Sequence, residues 1–225
     1  MTTTPSTSAP AASQHLARVT GISGLLAVLL VFAVLVGSRP EPAFDAPPAD
    51  FLTHYRAPNT LGSDVRSFGL ALAMLSFVWF VVTLTTQLRR AEGEAPWRSN
   101  VAMVSGLLFA TLVLSGNEVA AVFTADDLDP QVARYAFEES QAAFANARVA
   151  LGSCAICCGW VIVATRFLPR WLGWLAVASG IGLALARLSW TSYVWLPPYL
   201  AFWLWTLVVA VLVLRRGFRG APGAD

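Results

Sequence analysis

Between Arg18 and Arg39 the chain reads VTGISGLLAVLLVFAVLVGS, residues 19–38, twenty positions without a charge. At about 1.5 Å of rise per residue, a helix of that length spans about 30 Å, the hydrocarbon thickness of a bilayer. A secretory signal peptide is the competing reading. Its apolar region runs to about 7–15 residues and is followed by a small-residue cleavage site. Here the apolar run from Gly21 to Val36 is longer, only Arg18 precedes it, and no clear A-x-A site follows. The segment therefore reads as a retained membrane helix.

The same pattern recurs along the chain. Apolar spans fall at about 18–37, 67–88, 100–123, 145–166, 171–189 and 196–214. The fold class is all-α, a polytopic transmembrane bundle of about six helices. Composition agrees: of 225 residues 56% are hydrophobic and 12% charged, and the mean hydropathy is +0.62. A soluble domain carries about 25% charged residues. The expected organisation is a disordered cytoplasmic tail at 1–17, a membrane domain at 18–214 with outer loops at about 38–66 and 124–144, and a cytoplasmic tail at 215–225.

Orientation follows from the arginines, since short cytoplasmic loops collect positive charge. With the N-terminus inside, the inner segments hold Arg18, Arg89, Arg90, Arg98, Arg166, Arg170, Arg215, Arg216 and Arg219. The outer loops hold only Arg39, Arg56, Arg66 and Arg134. Both termini are therefore expected in the cytoplasm, in a multi-pass protein of the cell membrane. Trp97, Trp171 and Trp174 fall near the inner interface, and Trp190, Tyr193, Trp195 and Tyr199 near the outer one. Such rings favour that depth because their apolar body and polar tip suit both phases.

Local signals refine the loops. Asp50 is placed to cap a short helix through Phe51, Leu52, Tyr55 and Arg56. Asp129 before Pro130 predicts an N-cap with proline at the first helical position. The fourth helix should begin there, outside the membrane, with a bend near Ser140. In the fifth span Ala176, Gly180 and Ala184 repeat at four residues, as do Ala178, Gly182 and Ala186. Two small-residue ridges allow close helix approach, so this span is expected to be the packing centre.

Polar residues inside spans are the candidates for function, because charge there is costly and usually faces the bundle interior. Glu118, Arg148 and Arg187 come from three helices at a common depth near the outer leaflet, with Asn117 and Asn146 close in sequence. A Glu118 ion pair with Arg148 or Arg187 is the expectation, with headgroup snorkelling as the alternative. Cys154, Cys157 and Cys158 share one span, but His15 and His54 lie too far away to complete a metal site, and the cysteines read as small apolar residues. No H-E-x-x-H, G-x-S-x-G, P-loop or dinucleotide fingerprint is present. No catalytic residue, cofactor or metal is expected, and no basic face invites nucleic acid.

The stretches Asp129-Pro130-Gln131-Val132-Ala133-Arg134 and Phe167-Leu168-Pro169-Arg170-Trp171-Leu172-Gly173-Trp174-Leu175 carry a resemblance, as does the opening Ala17-Arg18-Val19-Thr20-Gly21-Ile22. Together they resemble uncharacterised bacterial membrane proteins of about six helices that carry a domain of unknown function. The absence of Lys among fifteen basic residues, with abundant Ala, Gly, Pro and Trp, suits a high-GC, actinobacterial-type origin. The resemblance implies a fold and a location, and no activity or site residue. The functional expectation is a non-enzymatic accessory or interaction protein whose partners are the lipid bilayer and other membrane proteins. The alternative is a small-molecule or ion transporter or sensor built on the outer polar cluster, with an unknown ligand.

Overall fold

A computed structural model describes residues 8–36, 41–56, 63–115, 126–189 and 191–219. Among these lie seven α-helices and no strand. They are α1 (Ser8–Val36), α2 (Pro48–Arg56), α3 (Ser63–Glu92), α4 (Trp97–Leu114), α5 (Pro130–Thr165), α6 (Arg170–Leu185) and α7 (Leu196–Arg219). Short 3-10 turns at Ala186–Ser189 and Tyr193–Trp195 join α6 to α7. All but α2 are long and apolar enough to cross a membrane. The chain is a multi-pass helical membrane protein.

Both ends of the described chain sit at one end of the bundle. Arg18 Nε donates to the Gly217 carbonyl at 3.2 Å, and Gln87 Nε2 donates to Thr20 Oγ1 at 2.8 Å. The other end carries α2, whose Phe51, Leu52 and Tyr55 pack on Ala133, Ala136 and Phe137 of α5 in a small core of their own. This cap stands apart from the main core of the bundle.

Helix boundaries show where local chemistry acts. Asp129 has extended backbone angles, its Oδ1 accepts from Gln131 N at 2.8 Å, and Pro130 opens α5, as expected. From there α5 is helical without interruption to Thr165, so Ser140 breaks nothing. The first helix starts at Ser8 rather than near 18. Ala9, Ala11 and Ala12 favour helix, and Pro10 falls in the first turn, where its missing N–H has no helical partner to lose. The third span, read as 100–123, is described only to Leu114.

Lipid leaves backbone and hydroxyl groups to find partners inside the protein. Thr20, Ser23, Thr83, Thr85, Thr86, Thr165 and Thr206 do so by donating to the carbonyl four residues back. This lets polar residues ride on helices that would otherwise be wholly apolar.

The closest helix contact is between α5 and α6. A Cβ placed on Gly152 would lie 2.6 Å from the Gly180 carbonyl, and one on Gly180 would lie 2.6 Å from the Gly152 carbonyl. Gly159 and Gly173 face each other in the same way two turns further on. The second ridge of α6 also serves, since Gly182 abuts Pro198 of α7. The packing centre, however, is α5 and not α6: it is the most buried of the six spans. The reason is that α6 turns Trp171, Trp174, Ile181 and Leu185 outward, so only its glycine face is covered.

Candidate functional site

The periodicity of α5 builds the polar region. Phe144 and Arg148 are one turn apart and share a face, while Asn146 between them points outward. Arg148 is only 2% exposed. Its guanidinium lies 5.0 Å from the Phe144 ring centre and 4.9 Å from that of Trp195. Trp195 closes the 3-10 turn before α7, and its ring meets Phe144 edge-on at 5.4 Å and Tyr199 at 5.6 Å. The aromatic faces offer the cation negative charge where water is excluded. Among the described residues Arg148 Nε finds no hydrogen-bond acceptor.

Arg187 stands nearby on the Ala186–Ser189 turn. Its Nε donates to Asn146 Oδ1 at 3.0 Å, on the exposed side of α5. Arg148 and Arg187 are close enough for their like charges to act on each other. The structure thus brings Asn146, Arg148 and Arg187 together. Glu118 and Asn117 lie outside the described residues. Snorkelling does not describe Arg148, which is sealed by rings rather than extended to water.

From Arg148 a line of rings runs into the core. Tyr199 touches Trp203 at 6.0 Å, Trp203 touches Phe77 at 5.6 Å, and Phe77 touches Phe109 and Phe202. Among the described residues, these rings fill the middle of the bundle.

Outside this packed column, at the cap end, lies a cleft of about 410 Å³. The segment 41–45 forms one wall, α5 the floor through Phe137 and Gln141, and the turn 191–195 the other wall. Phe44 is fixed against Phe137 at 5.5 Å, and Gln141 Nε2 donates to Glu41 Oε2 at 2.9 Å. Trp195 lines this cleft and also covers Arg148. The cleft is hidden in the sequence, because its walls come from three distant segments and, of its lining residues, Tyr193 and Trp195 stand out there only as interface residues.

The opposite end holds a second polar constellation that the sequence reading missed. Gly93, at φ +93°, turns the chain after α3, so that Glu92 faces the start of α4. Its Oε1 accepts from Arg98 Nε at 2.8 Å and from Arg98 N at 3.3 Å. Its Oε2 accepts from Ser99 N at 3.0 Å and Ser99 Oγ at 2.6 Å. Pro96, at the N-cap, provides no side-chain cap, and Glu92 supplies one from the preceding helix. This role is structural.

Cys154 and Cys158 are buried and Cys157 is half-buried, all as free thiols. Among the described residues no three His, Cys, Asp or Glu side chains could hold a metal ion. His54 rests edge-on to Tyr55 at 5.5 Å.

No curated protein and no solved structure matches the chain. A family model described as a domain of unknown function, DUF4386, does match, over residues 19–191. That match covers more than half of the chain and includes α5, α6 and the Arg148 region, and so the chain belongs to the DUF4386 family of domains of unknown function.

Proposed function

We propose that the protein is a non-enzymatic accessory or interaction protein of the cell membrane, with both termini in the cytoplasm, acting by recognition at its outer face. The observation that carries this reading is the filled bundle. Phe77, Phe109, Phe202 and Trp203 occupy its centre, and glycine-backed contacts close the α5–α6 seam. The arginine-rich end, with Arg18, Arg89, Arg90, Arg166, Arg170, Arg215 and Arg216, belongs on the cytoplasmic side by the positive-inside rule. Glu118 is the proposed counter-ion of Arg148, a buried guanidinium with no carboxylate partner among the described residues. Asn117, Asn146 and Arg187 would complete that cluster and lock the outer ends of the helices.

The native thiols test the closed bundle. Cys154 and Cys158 sit within the packed core. In membranes, a water-soluble, impermeant maleimide should leave both unmodified from either side, while detergent denaturation exposes them. Rapid labelling of either cysteine from the aqueous phase would reveal a water path and overturn the reading in favour of permeation. The sensing alternative draws its support from the outer cleft, which is open to water and built from fixed side chains.

A further inference from the structure

We infer that the corner where α7 ends against the α5–α6 turn binds the headgroup of an acidic phospholipid from the surrounding leaflet. Two hydrogen bonds assemble this corner from three distant segments. Arg216 Nη1 donates to the Phe167 carbonyl at 2.6 Å, and its guanidinium stands 5.5 Å from the Phe167 ring centre, so the end of α7 is fastened to the turn. Arg18 of α1 donates to the Gly217 carbonyl, on the same stretch of α7, at 3.2 Å. With those two arginines holding backbone, Arg166, Arg170 and Arg215 are left over. All three are exposed, and their side chains have no hydrogen-bond or ion-pair partner among the described residues. No acidic residue occurs in 160–175 or 208–219. Glu92, at the same end of the bundle, gives its two oxygens to Arg98 and Ser99.

The turn sets the free guanidinium groups where one span ends and the next begins. Arg166 closes α5 with left-handed backbone, φ 56°, and Arg170 opens α6. A guanidinium matches a phosphate with paired N–H donors, and it is weakly hydrated, so it gives up water readily. Basic groups at the ends of spans favour acidic lipid headgroups for this reason. From Arg170 the outward side of α6 continues as an apolar stripe, with Trp171, Trp174, Ala178, Ile181 and Leu185 exposed at spacings of three and four. From Trp171 to Leu185 the stripe runs about 21 Å, more than the hydrocarbon depth of one leaflet, about 15 Å. Trp171 and Trp174, each 57% exposed, offer uncovered rings of the kind that settle at headgroup depth. The ligand that fits is therefore anionic at one end and apolar along the rest. A free phosphate would use the arginines and leave the stripe without a role. The inference goes beyond recognition at the outer face, and it rests on the proposed orientation only for the choice of leaflet, the cytoplasmic one.

The test is thermal unfolding of the full chain in maltoside detergent at constant ionic strength, with rising mole fractions of dioleoylphosphatidylglycerol or dioleoylphosphatidylcholine. The two lipids share their chains, and the second neutralises its own phosphate with choline. A ligand that binds the folded state raises Tm. A saturable rise is expected with phosphatidylglycerol, half-complete at a tenfold or more lower mole fraction than with phosphatidylcholine. Millimolar glycerol phosphate should neither raise Tm nor compete. Arg166→Gln with Arg170→Gln should weaken the phosphatidylglycerol effect tenfold or more. Arg89→Gln with Arg90→Gln removes equal charge from exposed sites at the same end of the bundle, and should weaken it less than twofold. If the first double variant does not fold, the single variants Arg166→Gln and Arg170→Gln stand in, each with at least a threefold loss expected. Equal response to the two lipids overturns the inference, as does an unchanged response in the Arg166 and Arg170 variants. Equal loss in the Arg89 and Arg90 variant would show attraction by net charge alone, and competition by glycerol phosphate would show a site for a soluble anion; either result also overturns it. Failure here leaves the closed bundle standing, because that reading is decided by the protection of Cys154 and Cys158.

Discussion

Substituting Gly152 with alanine is the most direct probe of how the bundle is held. The added Cβ would lie 2.6 Å from the Gly180 carbonyl oxygen, so α5 and α6 must part by about 0.8 Å to reach an ordinary 3.4 Å contact. Both atoms concerned belong to backbone, and no side-chain rotation relieves them. Helix association in lipid rests on close dispersion contact, so parting the helices loosens the whole seam. Overpacking of this kind costs about 1–3 kcal/mol. For a chain of this size, about 2–4 °C is lost per kcal/mol, which predicts a fall in Tm of about 2–12 °C. Gly159→Ala should behave alike, because Gly173 opposes it by backbone as well. Gly69→Ala is the control, since its nearest neighbour is a Val34 methyl at 3.4 Å. There alanine's helix preference should prevail, for a gain of about 0.5–1 kcal/mol. The assay is thermal unfolding in one detergent, followed by intrinsic fluorescence and far-UV circular dichroism. If Gly152→Ala and Gly159→Ala match Gly69→Ala, the close-packed seam is wrong.

Substitutions at Glu92 and in the Glu118–Arg148 pair test the polar constellations. Glu92→Ala should cost about 1–3 kcal/mol, because it strips the cap from the Arg98 and Ser99 N–H groups and leaves them near apolar surface. Glu92→Gln should cost less, and thermal unfolding of the pair checks the order. A double-mutant cycle of Glu118→Gln with Arg148→Gln should be non-additive, since removing one member leaves a buried charge that costs about 3–5 kcal/mol and removing both relieves it. Additive effects would rule out the proposed pair.

Much of the architecture was legible because lipid imposes a simple rule: apolar stretches of bilayer length become helices. The cap at Asp129 was readable from a dipeptide, and the α6 ridges from a four-residue repeat. What escaped reading were properties of the far partner. Gly180 announces a close contact but not that its neighbour is Gly152, and so α5 was not recognised as the most buried helix. Arg148 stood out as a charge in an apolar run, but its ring partner Trp195 lies 47 positions away and looked like an interface residue. The cleft was least legible, because Glu41, Gln141 and Tyr193 come from a loop, a helix and a turn that lie far apart in sequence. Glu92 hid for a simpler reason: a glutamate near a helix end looks solvated, and only the turn at Gly93 shows that it reaches α4.

The topology underlies all of these expectations. Single cysteines at Ser13, Thr53 and Phe218, introduced one at a time into a chain with Cys154, Cys157 and Cys158 replaced by alanine, report it through an impermeant maleimide applied to intact cells and to inverted vesicles; all three positions are exposed. Six spans with both ends cytoplasmic predict that Thr53→Cys reacts in intact cells, and that Ser13→Cys and Phe218→Cys react only in inverted vesicles. Labelling of Ser13→Cys and Phe218→Cys from opposite sides would mean an odd number of crossings and contradict the six-span bundle.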